Sequence, residues 1–274
     1  MDFLRTLIEV LDTRMITPEP YGWFHLLWLA ASVIAGILLF KFLKPGTEKQ
    51  VRGVLLVISL LSILAEIYKQ FNYTFSVDGD VINADYQWYA FPYQFCSTPI
   101  FVLPFVSFLK DSKFRDAFVA YMAFFSLFGG IAVFFYPNDV FISTLGINIQ
   151  TMIHHGSQIV LGIFFIVHSR RKINLKFHLK SVPVFASLVA IAIIMNECSF
   201  SILTSKGMDD TFNMFFISRH FECTLPILSG IYEAVPYLVF SLIYILGFAV
   251  ISLIIFALSK LIVYLVGRKK VKNA

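Results

Sequence analysis

Between Gly22 and Val266 the chain falls into seven apolar stretches. Each approaches or exceeds the roughly 20 residues that an α-helix needs to cross a hydrocarbon core. They run approximately over Gly22–Phe42, Val51–Phe71, Ala90–Leu109, Phe114–Tyr136, Asn148–Ser169, Val182–Cys198 and Pro236–Val266. Lipid offers the backbone no hydrogen bonds, so only helices and closed barrels are stable there. The apolar residues are continuous rather than alternating, which excludes a barrel. The expected fold is therefore all-α, a polytopic membrane helix bundle of seven transmembrane helices in a single integral membrane domain over residues 1–274. Residues 1–20 would form a short extracytoplasmic segment, 21–266 the bundle and 267–274 a basic cytoplasmic tail. The last stretch is long enough to tilt or to run past the membrane boundary. No internal repeat of the kind that marks many transporters is visible.

Composition points the same way. Only 14% of residues are charged and 58% are hydrophobic, where a soluble domain carries about a quarter charged residues. Met1–Pro20 alternates acidic, basic and apolar positions, so no cleavable leader is expected. The formal charge of +5 is not a nucleic-acid signature, because the bases flank the apolar stretches instead of forming a face. Lys41, Lys44, Lys49 and Arg52 follow stretch one, and Lys110, Lys113 and Arg115 follow stretch three. Arg170, Arg171, Lys172, Lys176 and Lys180 follow stretch five, and Arg268, Lys269, Lys270 and Lys272 follow stretch seven. The alternate loops hold Asp78, Asp80 and Asp85, then Asp139, then Asp209, Asp210, Glu222 and Glu233. Bases mark the cytoplasmic side, which places the amino terminus outside and the carboxyl terminus inside a cell membrane.

With that orientation, depth becomes readable. Stretch three enters from outside near Ala90, which would put Cys96 about 9 Å below the outer boundary at 1.5 Å per residue. Stretch five enters near Asn148, so His154, His155 and Gln158 reach a comparable depth. Glu66, Gln70 and Asn72 close stretch two, Asn196 and Glu197 close stretch six, and His25 opens stretch one. Ionisable groups inside a membrane are costly and usually face a bundle interior or a wet cavity. For Gln94, Cys96, His154, His155 and Gln158 the expectation is one pocket open to the outside. For Glu66, Asn72, Glu197 and His25 taken singly, an interfacial position satisfied by water or backbone competes with it.

A thiolate is a strong nucleophile, and a nearby histidine favours its formation. Cys96 and the two histidines thus make a candidate thiol–imidazole pair, against the competing role of Cys96 as a small packing residue beside a kink at Pro99. His154 and His155 point about 100° apart on a helix, so one of them faces the pocket. Cys96, a histidine and Glu66 would also suit zinc, but no HExxH or CxxC spacing supports a metal site. Cys198 and Cys223 both fall on the outer side, where they could close a disulfide tethering the loop between stretches six and seven.

Three blocks occur together in this order: "FPYQFCSTPIFVLP", "MIHHGSQIVLGIFFIV" and "FNMFFISRHFECTLP". They resemble the third helix, the His-Gly helix and the later Asn-x-Met-Phe stretch of the YwaF-like integral membrane proteins. These are bacterial relatives of the transmembrane protein 164 acyltransferases. The resemblance runs from about Tyr21 to the end of stretch seven. It implies an acyltransferase acting on phospholipids, with Cys96 as the essential cysteine, His155 as the matching histidine and Asn213 as the matching asparagine. His154 and the run Arg219–Glu222 depart from the family pattern.

Together these observations imply a membrane-embedded acyltransferase or lipid-remodelling enzyme. Cys96 would act as nucleophile and His155 (or His154) as base, with Gln94, Gln158, Asn196, Asn213 and Glu66 as substrate-binding or supporting residues. The implied partners are a membrane phospholipid and the bilayer, with no cofactor, metal or nucleic acid, and the oligomeric state is open. The alternative is a non-enzymatic transporter or ligand-binding sensor using the same outward cavity.

Overall fold

The structure, a computed structural model, describes residues 2–43, 47–137, 140–170 and 172–272, without the side chains of Asp2 and of residues 266–272. Lys44, Asp139 and Arg171, and the side chains of Arg268, Lys269, Lys270 and Lys272, lie outside the described residues. Among the described residues there are nine helices and one hairpin. The helices are α1 (Asp2–Leu11), α2 (Trp23–Leu43), α3 (Glu48–Asn72), α4 (Pro99–Phe108), α5 (Lys113–Phe135), α6 (Leu145–His168), α7 (Leu175–Ser205), α8 (Leu228–Ala234) and α9 (Tyr237–Lys272). The hairpin pairs β1 (Phe75–Asp78) with β2 (Val81–Ala84) in antiparallel register, Phe75 opposite Ala84.

Six helices, α2, α3, α5, α6, α7 and α9, are long and apolar enough to cross a membrane. This is a multi-pass membrane protein with an all-α bundle. α5 and α6 form its centre, and Tyr121 to Phe125 on α5 are almost fully enclosed. α2, α3 and α9 instead turn large apolar side chains outward, among them Ile37, Leu61 and Leu246. In water such faces would be aggregation surfaces, whereas in a bilayer lipid covers them.

Side chains fix the helix ends. The Thr47 hydroxyl and the Gln50 side chain form a reciprocal capping box at the start of α3. The Ser112 and Asn174 side chains accept from Arg115 N and Phe177 N, opening α5 and α7. α5 widens over Met122–Ser126 into a π-turn, and α7 bends at Lys180.

The two ends of the bundle differ in chemistry. At one end, Glu48 pairs with Arg52 (3.1 Å) and Arg115 (2.9 Å), and Asp116 pairs with Lys172 (3.3 Å) and Lys180 (2.8 Å). At the other end, Arg5 of α1 reaches the hairpin tip through Asp80 and Gly79 O, and Thr144 donates to Asp12.

Stretch three departs from expectation. Its α-helix spans only Pro99–Phe108, 10 residues or about 15 Å, half of a roughly 30 Å hydrocarbon core. Ala90–Thr98 is irregular, with a 3₁₀ turn at Phe95–Ser97. Proline explains the start: Pro99 has no N–H to donate and sits at the first helical turn, where none is needed. Cys96 therefore lies ahead of a helix and not one turn inside it, as the depth estimate assumed.

Candidate functional site

An irregular backbone at membrane depth survives only where protein groups satisfy it. Around Cys96 they do so in detail. Ser97 N donates to Gln94 O, and the Thr98 hydroxyl donates to Phe95 O. The Tyr121 hydroxyl on α5 meets the Thr98 hydroxyl at 2.5 Å. The carbonyl of Cys96 takes two donors from α6: His154 Nε2 at 2.6 Å and Gln158 Nε2 at 3.0 Å. Those two residues are one helical turn apart, so a single face of α6 clamps the turn that carries the thiol.

The close approach of α5 to α6 sets the position of that face. A Cβ on Gly130 would lie 2.7 Å from His155 O and 2.9 Å from Ile159 Cγ1, so only glycine fits there. His155 points away from the clamp. A carbonyl can only accept, so its Nδ1–H donates to Thr151 O at 2.8 Å, which leaves Nε2 as the nitrogen with a lone pair. That Nε2 is buried and has no hydrogen-bond partner among the described residues. The two imidazoles meet edge to face with centroids 5.1 Å apart.

On the far side of the Cys96 turn lies the loop that follows α7. Gln94 bridges to it with both amide atoms, donating to Asn213 O (3.0 Å) and accepting from Phe215 N (2.8 Å). Asn196 brackets Met214 in the same manner, and Asn213 ties Ser218 N to Glu222 O. Phe215 and Phe216 hold positive φ (60° and 52°), conformations that bulky residues adopt only under constraint. The constraint is this set of amides, together with the Tyr244 hydroxyl donating to Phe215 O. Phe215 then packs on Phe95, next to Cys96, in a cluster with Phe185 and Phe248.

A third group lies on α3. The buried Glu66 carboxylate receives Lys69 (2.8 Å) and Gln70 (2.7 Å) on one oxygen and Gln150 of α6 (3.3 Å) on the other.

The structure thus brings Cys96, His154 and Gln158 together, with His155 against His154 and turned away from the clamp. Gln94, Asn196 and Asn213 join in a separate bracket, and Glu66 enters a third group. His25 stands apart, accepting from Tyr21 N and packed against Phe134 and Phe141. Glu197 pairs with Arg219 and His220 outside the bundle. The single pocket expected from shared depth resolves into these groups, because depth says nothing about direction around a helix. Cys198 and Cys223 are both free. α7 turns Asn196 inward, so Cys198, two residues on, faces out while Cys223 is buried. Among the described residues no three His, Cys, Asp or Glu side chains converge as metal ligands.

Sequence reasoning missed Lys69, Gln150 and Tyr121. Lys69 follows Glu66 by three residues and Gln150 precedes His154 by four, spacings that place each on its neighbour's face.

The sequence profile of the TMEM164 family matches residues 20–260, nearly the whole bundle. The chain belongs to the TMEM164 family. In this TMEM164 family member the matched region contains Cys96, both histidines and the loop that Gln94 holds. No curated protein and no solved structure matches the chain.

Proposed function

We propose that this TMEM164 family protein, of the bacterial YwaF-like branch, is a membrane-embedded acyltransferase or lipid-remodelling enzyme with Cys96 as nucleophile. The observation that carries it is the clamp. His154 and Gln158 fix the Cys96 turn, and a second imidazole, His155, lies edge to face with His154 and keeps a buried Nε2 with no hydrogen-bond partner among the described residues. In this scheme the His155 ring swings from Thr151 toward Cys96 and takes the thiol proton on Nε2, and Cys96 Sγ attacks the acyl carbonyl of a phospholipid ester. The ester C–O bond breaks, the leaving alkoxide takes the proton back, and a thioester remains on Cys96. An acceptor hydroxyl then attacks the thioester and restores the thiol. His154 acts as a positioning residue in this scheme, and Gln94, Asn196 and Asn213 as supports that hold the outer loop against the Cys96 turn.

The same proposal includes seven crossings, with the hairpin end outside and the carboxyl terminus in the cytoplasm. Two contacts support counting Ala90–Leu109 as a crossing. Gln70 near one end of α3 binds Ala90 O, and Arg115, which pairs with Glu48 at the other end, binds Val106 O. Glu48 and Gln70 are about 33 Å apart at 1.5 Å per residue, a full hydrocarbon thickness.

The test is complementation of a deletion strain with wild-type, Cys96→Ala, His155→Ala and His154→Ala proteins, reading lipid and lipoprotein acyl chains by mass spectrometry. Cys96→Ala and His155→Ala should reproduce the deletion profile. Wild-type profiles from both, at wild-type protein levels, would rule the enzyme out in favour of a transporter or sensor.

A further inference from the structure

The helix α1 (Asp2–Leu11) precedes residue 20, where the family match begins. Its apolar residues lie on two sides. Ile8 is buried at 3% exposure, whereas Phe3 and Val10 are 80% and 62% exposed. At 3.6 residues per turn, Phe3 and Val10 fall within about 20° of each other, and Ile8 points about 140° away from Phe3. The protein therefore covers one of the two sides and leaves the other open. The charged residues of this helix are met within the protein. Arg5 donates to Glu9 and to Asp80 of the hairpin, each at 3.0 Å, and both Arg5 and Glu9 turn more than about 100° from Phe3.

Hydrogen bonds fix the height of α1 on the bundle. Tyr68, one turn before the end of α3, donates to Leu11 O at 2.9 Å. Leu145 N, at the start of α6, donates to Thr13 O (2.9 Å), and Met15 N donates to Ser143 O (2.8 Å). Beside them, the Tyr21 hydroxyl donates to Phe135 O at the end of α5 (2.6 Å). The carboxyl end of α1 is thus level with the ends of three spanning helices. Exposed aromatic rings stand at that level too, with Trp23 72% exposed and Tyr136 exposed after α5. Trp and Tyr gather in this way where a membrane meets water.

That height leaves two dispositions for the open side. The head-group layer on each side of a bilayer is about 5–8 Å thick, and Phe3 lies about 12 Å along the helix from Leu11. An upright α1 would lift the Phe3 ring through that layer into water. A helix lying along the surface keeps Phe3 and Val10 among lipids and makes them continuous with the outward apolar face of α2. We infer that α1 lies flat in the bilayer interface at the hairpin end, with Phe3 and Val10 inserted among head groups and upper acyl chains. Its charges already being paired, the helix is held by apolar insertion and needs no anionic lipid. This surface does not depend on the acyl-transfer reading.

The test uses full-length protein, one copy per phosphatidylcholine nanodisc, doped with phosphatidylcholine that carries a photoreactive diazirine near the acyl carbonyl. After illumination, lipid adducts are mapped by peptide mass spectrometry. Peptides covering residues 2–11 should carry adducts at a yield comparable to those covering Trp23, with or without added phosphatidylglycerol. Phe3→Ser/Val10→Ser should cut the α1 yield by about tenfold or more, since two apolar side chains no longer leave water, and should not change the α2 yield. Both side chains are exposed, so the fold is not at stake. An unlabelled α1 beside a labelled α2, or adducts undiminished in the double variant, would overturn the inference. So would adducts that require phosphatidylglycerol, which would make the contact one of charge. Cross-links between α1 helices in discs loaded with two copies, without lipid adducts, would give the open side to a second copy of the chain instead.

Discussion

Two donors share one carbonyl at Cys96, and that arrangement makes a quantitative prediction. Removing His154 Nε2 leaves Gln158 Nε2 on the carbonyl, and removing Gln158 leaves His154. Each single loss should therefore cost about one membrane hydrogen bond, on average about 0.6 and at most about 1.7 kcal/mol. Gln158→Leu should fall at the low end, since Gln158 Oε1 is itself buried without a hydrogen-bond partner among the described residues and its removal relieves that cost. In His154→Leu/Gln158→Leu the carbonyl has no donor at all. A buried backbone group left unsatisfied costs about 1–3 kcal/mol. The double variant should then exceed the sum of the singles by roughly 1–2 kcal/mol, well above the roughly 0.3–0.5 kcal/mol scatter of independent sites. Reversible unfolding in bicelles, followed by steric trapping, gives the three free energies. An additive result, or a double variant more stable than the sum, would refute the claim that these side chains hold the irregular turn in place.

Gly130→Ala should destabilise the bundle by about 1–3 kcal/mol and lower activity, because its Cβ would meet His155 O at 2.7 Å and push α6 from Cys96; unfolding and acyl-transfer assays check both. Tyr73 and Tyr86, at the foot of the hairpin, have hydroxyl pKa values raised to about 12, mainly by burial, with Tyr89 and then the Glu66 charge adding to it at Tyr73 and the Glu66 charge at Tyr86. Their folded values exceed the unfolded value of about 10. The unfolded state therefore loses protons first, and the stability these two tyrosines contribute should be fully present below pH 10 and fall as pH rises from 10 through about 12. Ultraviolet phenolate titration beside unfolding measurements tests this, and Tyr86→Phe should shrink the late-titrating absorbance.

Much of this protein is written locally. Hydropathy and segment length are properties of a run of residues by itself, so α2, α3, α5 and α6 lie within about three residues of their expected boundaries, whereas α7 (Leu175–Ser205) and α9 (Tyr237–Lys272) run on through polar residues beyond the expected Cys198 and Val266. The alternation of basic and acidic loops is equally local, and Arg52, Arg115, Lys172 and Lys180 do gather at one end of the bundle. Cys96 and the histidines were also legible as rare polar groups in apolar surroundings. The irregular state of Ala90–Thr98 was not. Its prolines permitted a break, but whether lipid-embedded backbone stays unwound depends on donors supplied from elsewhere. His154 and Gln158 lie about 60 residues from Cys96 in sequence. Direction was equally hidden. Spacing set His154 and His155 on different sides of α6, yet only the packing of α6 against α5 at Gly130 decided which side faces Cys96. Sequence by itself determined that this chain enters a membrane as helices and that a thiol and two imidazoles travel with it. Tertiary structure decided that the thiol sits on an unwound turn, because only groups from distant helices can replace the hydrogen bonds that lipid withholds.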